Sequence, residues 1–329
     1  MDSLLFQTLS EEELCAAALR YFGKELCGWE LLRGGLFNTT YRLDMEDRSV
    51  ILRLGPVHRE VLLHYEQYLM ASEPVIQELM LRRGIPTSKT VFLDLDRSFL
   101  DRDIAVVGSI PGASMASLEL DPAKERGICR KAGELVRSIH TISAYDLPVP
   151  PEHPFGRTSL VLNGKGSDSW REAILCEVRQ WSEHAEAAEL LPYELIQRCV
   201  RCFEVLGAVL DEVTEPLLVH GDIWYGNLLV DEGGSLQAII DNDRSFFGDP
   251  DFDLMLPWMP AEPFLEGYGR ALDMSDRAVL RRKLYRFLLL LEDTYILKVE
   301  YRDPEGYLRS KAEVASILSE LEKQYERGA

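Results

Sequence analysis

Residues 217–241 constrain this chain more than any other stretch, because two apolar runs there close around a glycine turn and carry three oxygen-bearing side chains to one end. The segment reads Leu217-Leu218-Val219-His220-Gly221-Asp222-Ile223-Trp224-Tyr225-Gly226-Asn227-Leu228-Leu229-Val230. A polar turn through Gly233-Gly234 follows, then a second apolar run from Leu236 that ends in Ile239-Ile240-Asp241. Such runs flanking a glycine turn predict a β-hairpin. Pairing symmetric about the turn sets Asn227 opposite Ile240, and cross-strand neighbours lie about 5 Å apart. Asp241 then falls beside Asn227, and the loop before the hairpin delivers Asp222 to the same end.

That convergence suits phosphoryl transfer. Two protein oxygen ligands completed by phosphate oxygens match Mg2+, which rarely takes an all-protein cage. A carboxylate five residues before the asparagine can orient and deprotonate an attacking hydroxyl while the metal neutralises charge on the transferred group. The spacing D-x-x-x-x-N, a hairpin and a further aspartate is that of a kinase catalytic loop. A single turn carboxylate would signify only solvation, but the ordered set points to Asp222 as base and to Asn227 and Asp241 as Mg2+ ligands.

Three motifs sharpen this. His-Gly-Asp-(x)4-Asn at 220–227, Ile-Ile-Asp at 239–241 and Gly-Asp-Pro-Asp-Phe-Asp-Leu at 248–254 resemble the aminoglycoside phosphotransferase and choline kinase family, small-molecule kinases with a protein-kinase-like fold. The resemblance covers nearly the whole chain. It implies an α+β bilobal architecture, with a small antiparallel-sheet lobe over 1–108 for nucleotide and a mainly helical lobe over 109–329 for catalysis and acceptor binding. It also implies Asp222 as base, Asn227 and Asp241 as metal ligands, ATP or GTP as donor, and Asp253, with His220, as structural support for the catalytic loop. Asp243 falls at a position often acidic in such proteins, with its role open. Asn242 departs from the pattern, since an aromatic or aliphatic residue commonly follows the metal aspartate.

In the first lobe, Gly34, Gly35 and Asn38 resemble a nucleotide-positioning loop, where glycine lets backbone N–H groups approach phosphates. Arg53 stands where protein kinases carry a phosphate-pairing lysine, and its planar fork can bind phosphate and carboxylate together. Glu73 is the candidate partner of Arg53. Gly108, Ser109 and Ile110 resemble the hinge that meets a purine base. His140 reads as a helix cap. Residues 56–70 form a longer connection than such a fold requires, and the sequence offers them no role.

Hydrophobic periodicity supports this division. Ser10 followed by three glutamates predicts a helix over 10–23, and strands are expected at 29–32, 38–43, 49–54, 91–93 and 104–107. Ser72-Glu73-Pro74 reads as the start of a helix that ends at Gly84. Amphipathic helices are expected at 124–142, 169–189, 193–213, 274–301 and 311–327.

Composition excludes several classes. A formal charge of −19 disfavours nucleic acid and anionic membranes. The apolar run at 287–291 is too short to span a bilayer, and no signal segment opens the chain, so the expected compartment is the cytoplasm. Six scattered cysteines suit reduced thiols, and the C-x-x-C of Cys199 and Cys202 lacks a second pair at zinc spacing.

The charge is uneven: residues 1–110 hold 12 Lys+Arg against 17 Asp+Glu, which leaves −14 in the rest. That asymmetry suggests a small, cationic acceptor, an aminoglycoside or amino sugar, held by carboxylates such as Glu262, Glu266, Glu292 and Asp293. A metabolic kinase for choline, a sugar or another amino alcohol is the alternative. A nucleotide-binding pseudokinase is disfavoured by the intact Asp222, Asn227 and Asp241, and a protein kinase by the lack of an Ala-Pro-Glu segment.

Overall fold

The computed structural model describes residues 3–32, 35–255 and 261–328. Its first part comprises α1 (Glu11–Phe22), β1 (Gly28–Leu32), β2 (Thr39–Asp44), β3 (Ser49–Leu54), α2 (Leu69–Arg82), β4 (Thr90–Asp94) and β5 (Ile104–Gly108). The expected cap of α1 is present: Glu13 N donates to Ser10 Oγ, Ser10 N donates to the Glu13 carboxylate, and Gly23 closes the helix at φ 63°.

The strands form one antiparallel sheet in the order β1-β2-β3-β5-β4. Alternation sends Tyr41, Leu43, Leu52, Leu54, Ile104 and Val106 to one face, where they pack on Leu14 and Ala17 of α1. Ala105 and Val107 on the other face meet Met70 of α2.

Helix α2 begins at Leu69, three residues before the expected Ser72 cap. Ser72 lies inside the helix, and its hydroxyl donates back to Tyr68 O at 2.7 Å. Pro74 is therefore interior and forfeits one helical hydrogen bond. Burial of Leu69 and Met70 outweighs that loss.

The second part contains β6 (Ala113–Ser114), α3 (Pro122–Ile139), β7 (Gly156–Arg157), α4 (Thr158–Val161), α5 (Trp170–Ala187), α6 (Tyr193–Leu206), β8 (Leu217–Val219), β9 (Leu228–Val230), β10 (Leu236–Ile239), β11 (Phe246–Gly248), α7 (Ala261–Tyr268), α8 (Asp276–Tyr295) and α9 (Pro304–Gly328). Two small sheets, β10-β9-β6 and β7-β11-β8, are set among the helices. The expected helix over 274–301 is interrupted, because α8 passes into a π-turn at Ile296–Glu300, and α9 starts at Pro304 rather than 311. Cys199 and Cys202 are buried on α6, and burial pushes both thiols up to about 12, which keeps them inert.

The two parts interlock. Ile76, Leu79 and Met80 of α2 share a core with Ile128, Cys129 and Val136 of α3 and with Leu228 and Ile239 of the hairpin. The N-terminal segment ties across the molecule, with Leu4 N donating to Glu300 O at 2.8 Å, Val57 N to Leu5 O at 3.1 Å and Gln7 N to Thr39 Oγ1 at 3.3 Å. Leu5 is fully buried beneath it. Among the described residues no helix is long and apolar enough to cross a membrane.

Candidate active site

The hairpin forms as the sequence predicts. Leu228 pairs with Ile239 and Leu229 with Ala238, a bulge shifts the tip to Val230–Leu236, and Ile240 N donates to Asn227 O at 3.0 Å. Asn227 and Ile240 therefore face each other.

The preceding loop is anchored from below. Asp253 accepts from His220 N and Gly221 N, each at 2.8 Å, and its Oδ2 lies 3.0 Å from His140 Nε2. Burial alone would push the Asp253 carboxyl up, but His140 and the backbone donors outweigh it and hold the group below the usual carboxylate range. His140 does end α3, yet its ring also reaches Tyr268 Oη at 2.9 Å, so it links α3, α7 and the loop. Gly221 sits at φ 80°, and a Cβ there would come within 2.5 Å of Arg244 O, so only glycine fits. His220 spans the hairpin mouth: Nε2 donates to Ile240 O at 3.1 Å, and Nδ1 accepts from Asp222 N at 3.3 Å.

Asn227 Nδ2 donates to both Asp222 O and Asp222 Oδ2 at 2.9 Å. Its amide oxygen is thereby turned away from Asp222. Asp241 adopts φ 66°, a strained conformation for a non-glycine residue, at the first position beyond the paired strand end. Burial, and next the Asp241 carboxylate, push the Asp222 carboxyl above its ordinary range, while Arg244, His220 and Asn227 pull it back. Among the described residues no three His, Cys, Asp or Glu cluster as a metal cage. One carboxylate and one amide oxygen instead fit Mg2+, which keeps water and phosphate oxygens in its shell.

Arg53 reaches this mouth from β3. Its Nη1 lies 2.5 Å from Glu73 Oε2, as expected, and its Nη2 lies 2.9 Å from Asp241 Oδ1 and 3.3 Å from Asp243 Oδ2. No local pattern points to the last two contacts, since 188 and 190 residues separate the partners. Asp243 is thus part of the Arg53 bridge, and burial drives its carboxyl well up. Asn242 is buried; its Nδ2 donates to Thr87 Oγ1 at 2.8 Å, while its Oδ1 has no partner among the described residues, so its amide is only half satisfied.

The remaining candidates divide. Gly34 lies outside the described residues. A Cβ on Gly35 would meet only Asn38 O at 3.5 Å, so no steric demand for glycine exists there. Gly35 and Asn38 bracket the bend between β1 and β2, and Phe37 on that bend packs against the helical core. Gly108 ends β5, bonded to Lys89 O, with Ser109 exposed and Ile110 half-buried beyond it. Glu262 and Glu266 of α7 do not stand free, because Arg126 and Arg130 of α3 bind them at the surface. Glu292 is buried and grips Arg157 with both oxygens, at 2.6 and 2.8 Å. Only Asp293 of the four lacks an arginine bridge among the described residues.

A sequence model of the phosphotransferase enzyme family (APH) matches residues 28–283. No curated protein matches the chain. Among solved structures, aminoglycoside phosphotransferase APH(4)-Ia superposes with a TM-score of 0.69 at 14% identity, covering 94% of this chain and 99% of its own. A thermostable mutant of APH(4)-Ia in ternary complex with AMP-PNP and hygromycin B gives 0.68 at 15% identity, covering 93% and 98%. The gentamicin complex of APH(2″)-IIa gives 0.63 at 15% identity, covering 94% and 97%. These likenesses establish the protein-kinase-like bilobal fold. With more than half its length matched, the chain belongs to the phosphotransferase enzyme family and is a small-molecule kinase acting on a hydroxyl.

Proposed function

We propose that this kinase moves the γ-phosphoryl group of ATP or GTP onto a hydroxyl of an aminoglycoside-like or amino-sugar acceptor, with Asp222 as base. The observation that carries the reading is the meeting of Asp222, Asn227 and Asp241 at one end of the hairpin. Asp222 takes the hydroxyl proton as the acceptor oxygen bonds to phosphorus and the bond to the β-phosphate oxygen breaks, releasing the nucleoside diphosphate. Its desolvated carboxyl is a stronger base than an exposed one. Asn227 orients Asp222 through its nitrogen and offers its amide oxygen, with the Asp241 carboxylate, to Mg2+. The metal, when bound, neutralises phosphate charge. Arg53, held by Glu73, faces the phosphates, and residues 108–110 line the base. Residues 1–108 serve as the nucleotide lobe and 109–329 as the catalytic and acceptor lobe.

The nucleotide analogue and aminoglycoside held by the structural relatives support both halves of this reading. The arginine bridges on Glu262, Glu266 and Glu292 favour a second acceptor class, a sugar or amino alcohol, because they remove three of the four carboxylates offered to a polycation. Nucleotide turnover against aminoglycosides, amino sugars, choline and neutral polyols separates the two. The mechanism is tested with Asp222→Asn, which should cut turnover by roughly a thousandfold or more while leaving nucleotide affinity within about threefold. Equal loss of affinity and turnover reassigns Asp222 to the metal.

A further inference from the structure

Residues 56–70 supply the glutamate of a second glutamate–arginine pair, Glu66 with Arg244. Glu66 lies on the 3-10 turn His64–Tyr68, which runs directly into α2, and Glu73 lies seven residues further on. Both are buried. Glu73 grips Arg53, and Glu66 Oε1 grips Arg244 Nη2 at 2.8 Å while Arg244 Nη1 donates to Tyr65 Oη at 2.9 Å.

The turn is itself fixed. Ser159 Oγ donates to Tyr65 O at 3.0 Å, Tyr295 Oη donates to Val61 O at 2.7 Å, and Leu63 N donates to the second Glu66 oxygen at 3.0 Å. Arg244 is one-fifth exposed, stands three residues after Asp241 with its carbonyl packed against Gly221 of the catalytic loop, and lies 5.5 Å from the centre of the Phe37 ring. Arg53 binds Asp241 and Asp243, so two arginines serve this end of the hairpin, each held by a buried glutamate.

We propose that Glu66, with Tyr65, is a positioning residue that aims Arg244 at the phosphoryl group as it passes from nucleotide to acceptor. The inference rests on Asp222 marking where transfer occurs. Charge on a phosphoryl group in flight spreads over its oxygens, and a guanidinium fixed in advance stabilises it without reorganising. A lysine could not hold two partners in one plane and still present a donor.

The test compares two ligands by calorimetry: Mg–AMP-PNP, which resembles the ground state, and Mg–ADP with aluminium fluoride, which mimics the group in flight. The proteins are wild type, Tyr65→Phe, Glu66→Gln, Arg244→Lys and the Glu66→Gln/Arg244→Lys double variant. Tyr65→Phe keeps both the packing and the Glu66–Arg244 charge pair, and thermal melting of each variant separates lost folding from lost affinity. AMP-PNP affinity should stay within about twofold throughout. Aluminium fluoride affinity should fall roughly tenfold to a hundredfold in Glu66→Gln and Arg244→Lys, less in Tyr65→Phe, and no further in the double variant than in Arg244→Lys. Unchanged aluminium fluoride affinity in both single variants, equal weakening of both ligands, or additive losses in the double variant would each overturn the proposal. If wild type binds ADP no tighter with aluminium fluoride than without it, the transfer reading itself falls.

Discussion

Asp293 and Glu292 are neighbours on α8, yet among the described residues only Glu292 has an arginine bridge, bidentate to Arg157, while Asp293 stands half-buried with its carboxyl pushed up to about 6 by burial and then by Glu292. An acid raised in the folded state favours folding most below its unfolded value near 4 and loses that contribution as pH rises through 6. Asp293→Asn should therefore match wild type at pH 4 and exceed it above pH 7, by about 1–2 kcal/mol after allowing for residual solvent. Urea unfolding at pH 4, 6 and 7.5 checks this, and parallel curves would show that Asp293 is not desolvated. The sequence marked Asp293 for its charge alone. It marked Asp222, Asn227 and Asp241 for better reasons, because their spacing on one hairpin is local information. His140 as a partner of Asp253, and Glu66 as a partner of Arg244, lie 113 and 178 residues from those they hold, and no local pattern records such pairs.

Elements were legible where turn chemistry and periodicity agreed. The hairpin register followed from its glycine turn, and α1 from its cap. Helix α2 was misplaced because Ser72-Glu73-Pro74 imitates a helix start, while the true start depends on burying Leu69 and Met70 against partners outside the window. The break in α8 was equally hidden, since nothing in its apolar pattern distinguishes an α-turn from a π-turn. Gly221 shows how tightly an element can constrain one residue. Gly221→Ala meets both φ 80° and a backbone oxygen 2.5 Å from the new Cβ. It should destabilise the protein by about 1–3 kcal/mol and, by moving the loop, lower turnover more than nucleotide affinity. Thermal melting and steady-state kinetics together test this, and a variant with wild-type turnover would show the loop to be looser than its contacts indicate.

Across the whole molecule, the buried bridges join elements far apart in sequence. Arg157 of β7 lies between the rings of Tyr65 and Phe246, each 3.9 Å away, and binds Glu177 of α5 and Glu292 of α8. Glu292→Gln removes the bidentate partner of a fully buried guanidinium and leaves it only Glu177 at 3.4 Å, so it should cost about 3 kcal/mol in urea unfolding while leaving acceptor affinity unchanged. Lost acceptor affinity with intact stability would return Glu292 to the acceptor site. The N-terminal tie has a consequence in time. Leu4 bonds to a carbonyl 296 positions later, so during synthesis that contact has no partner until Glu300 has left the ribosome. The early sheet can form first, but Leu5 waits uncovered, and the strap joins only after the π-turn that receives it has been made.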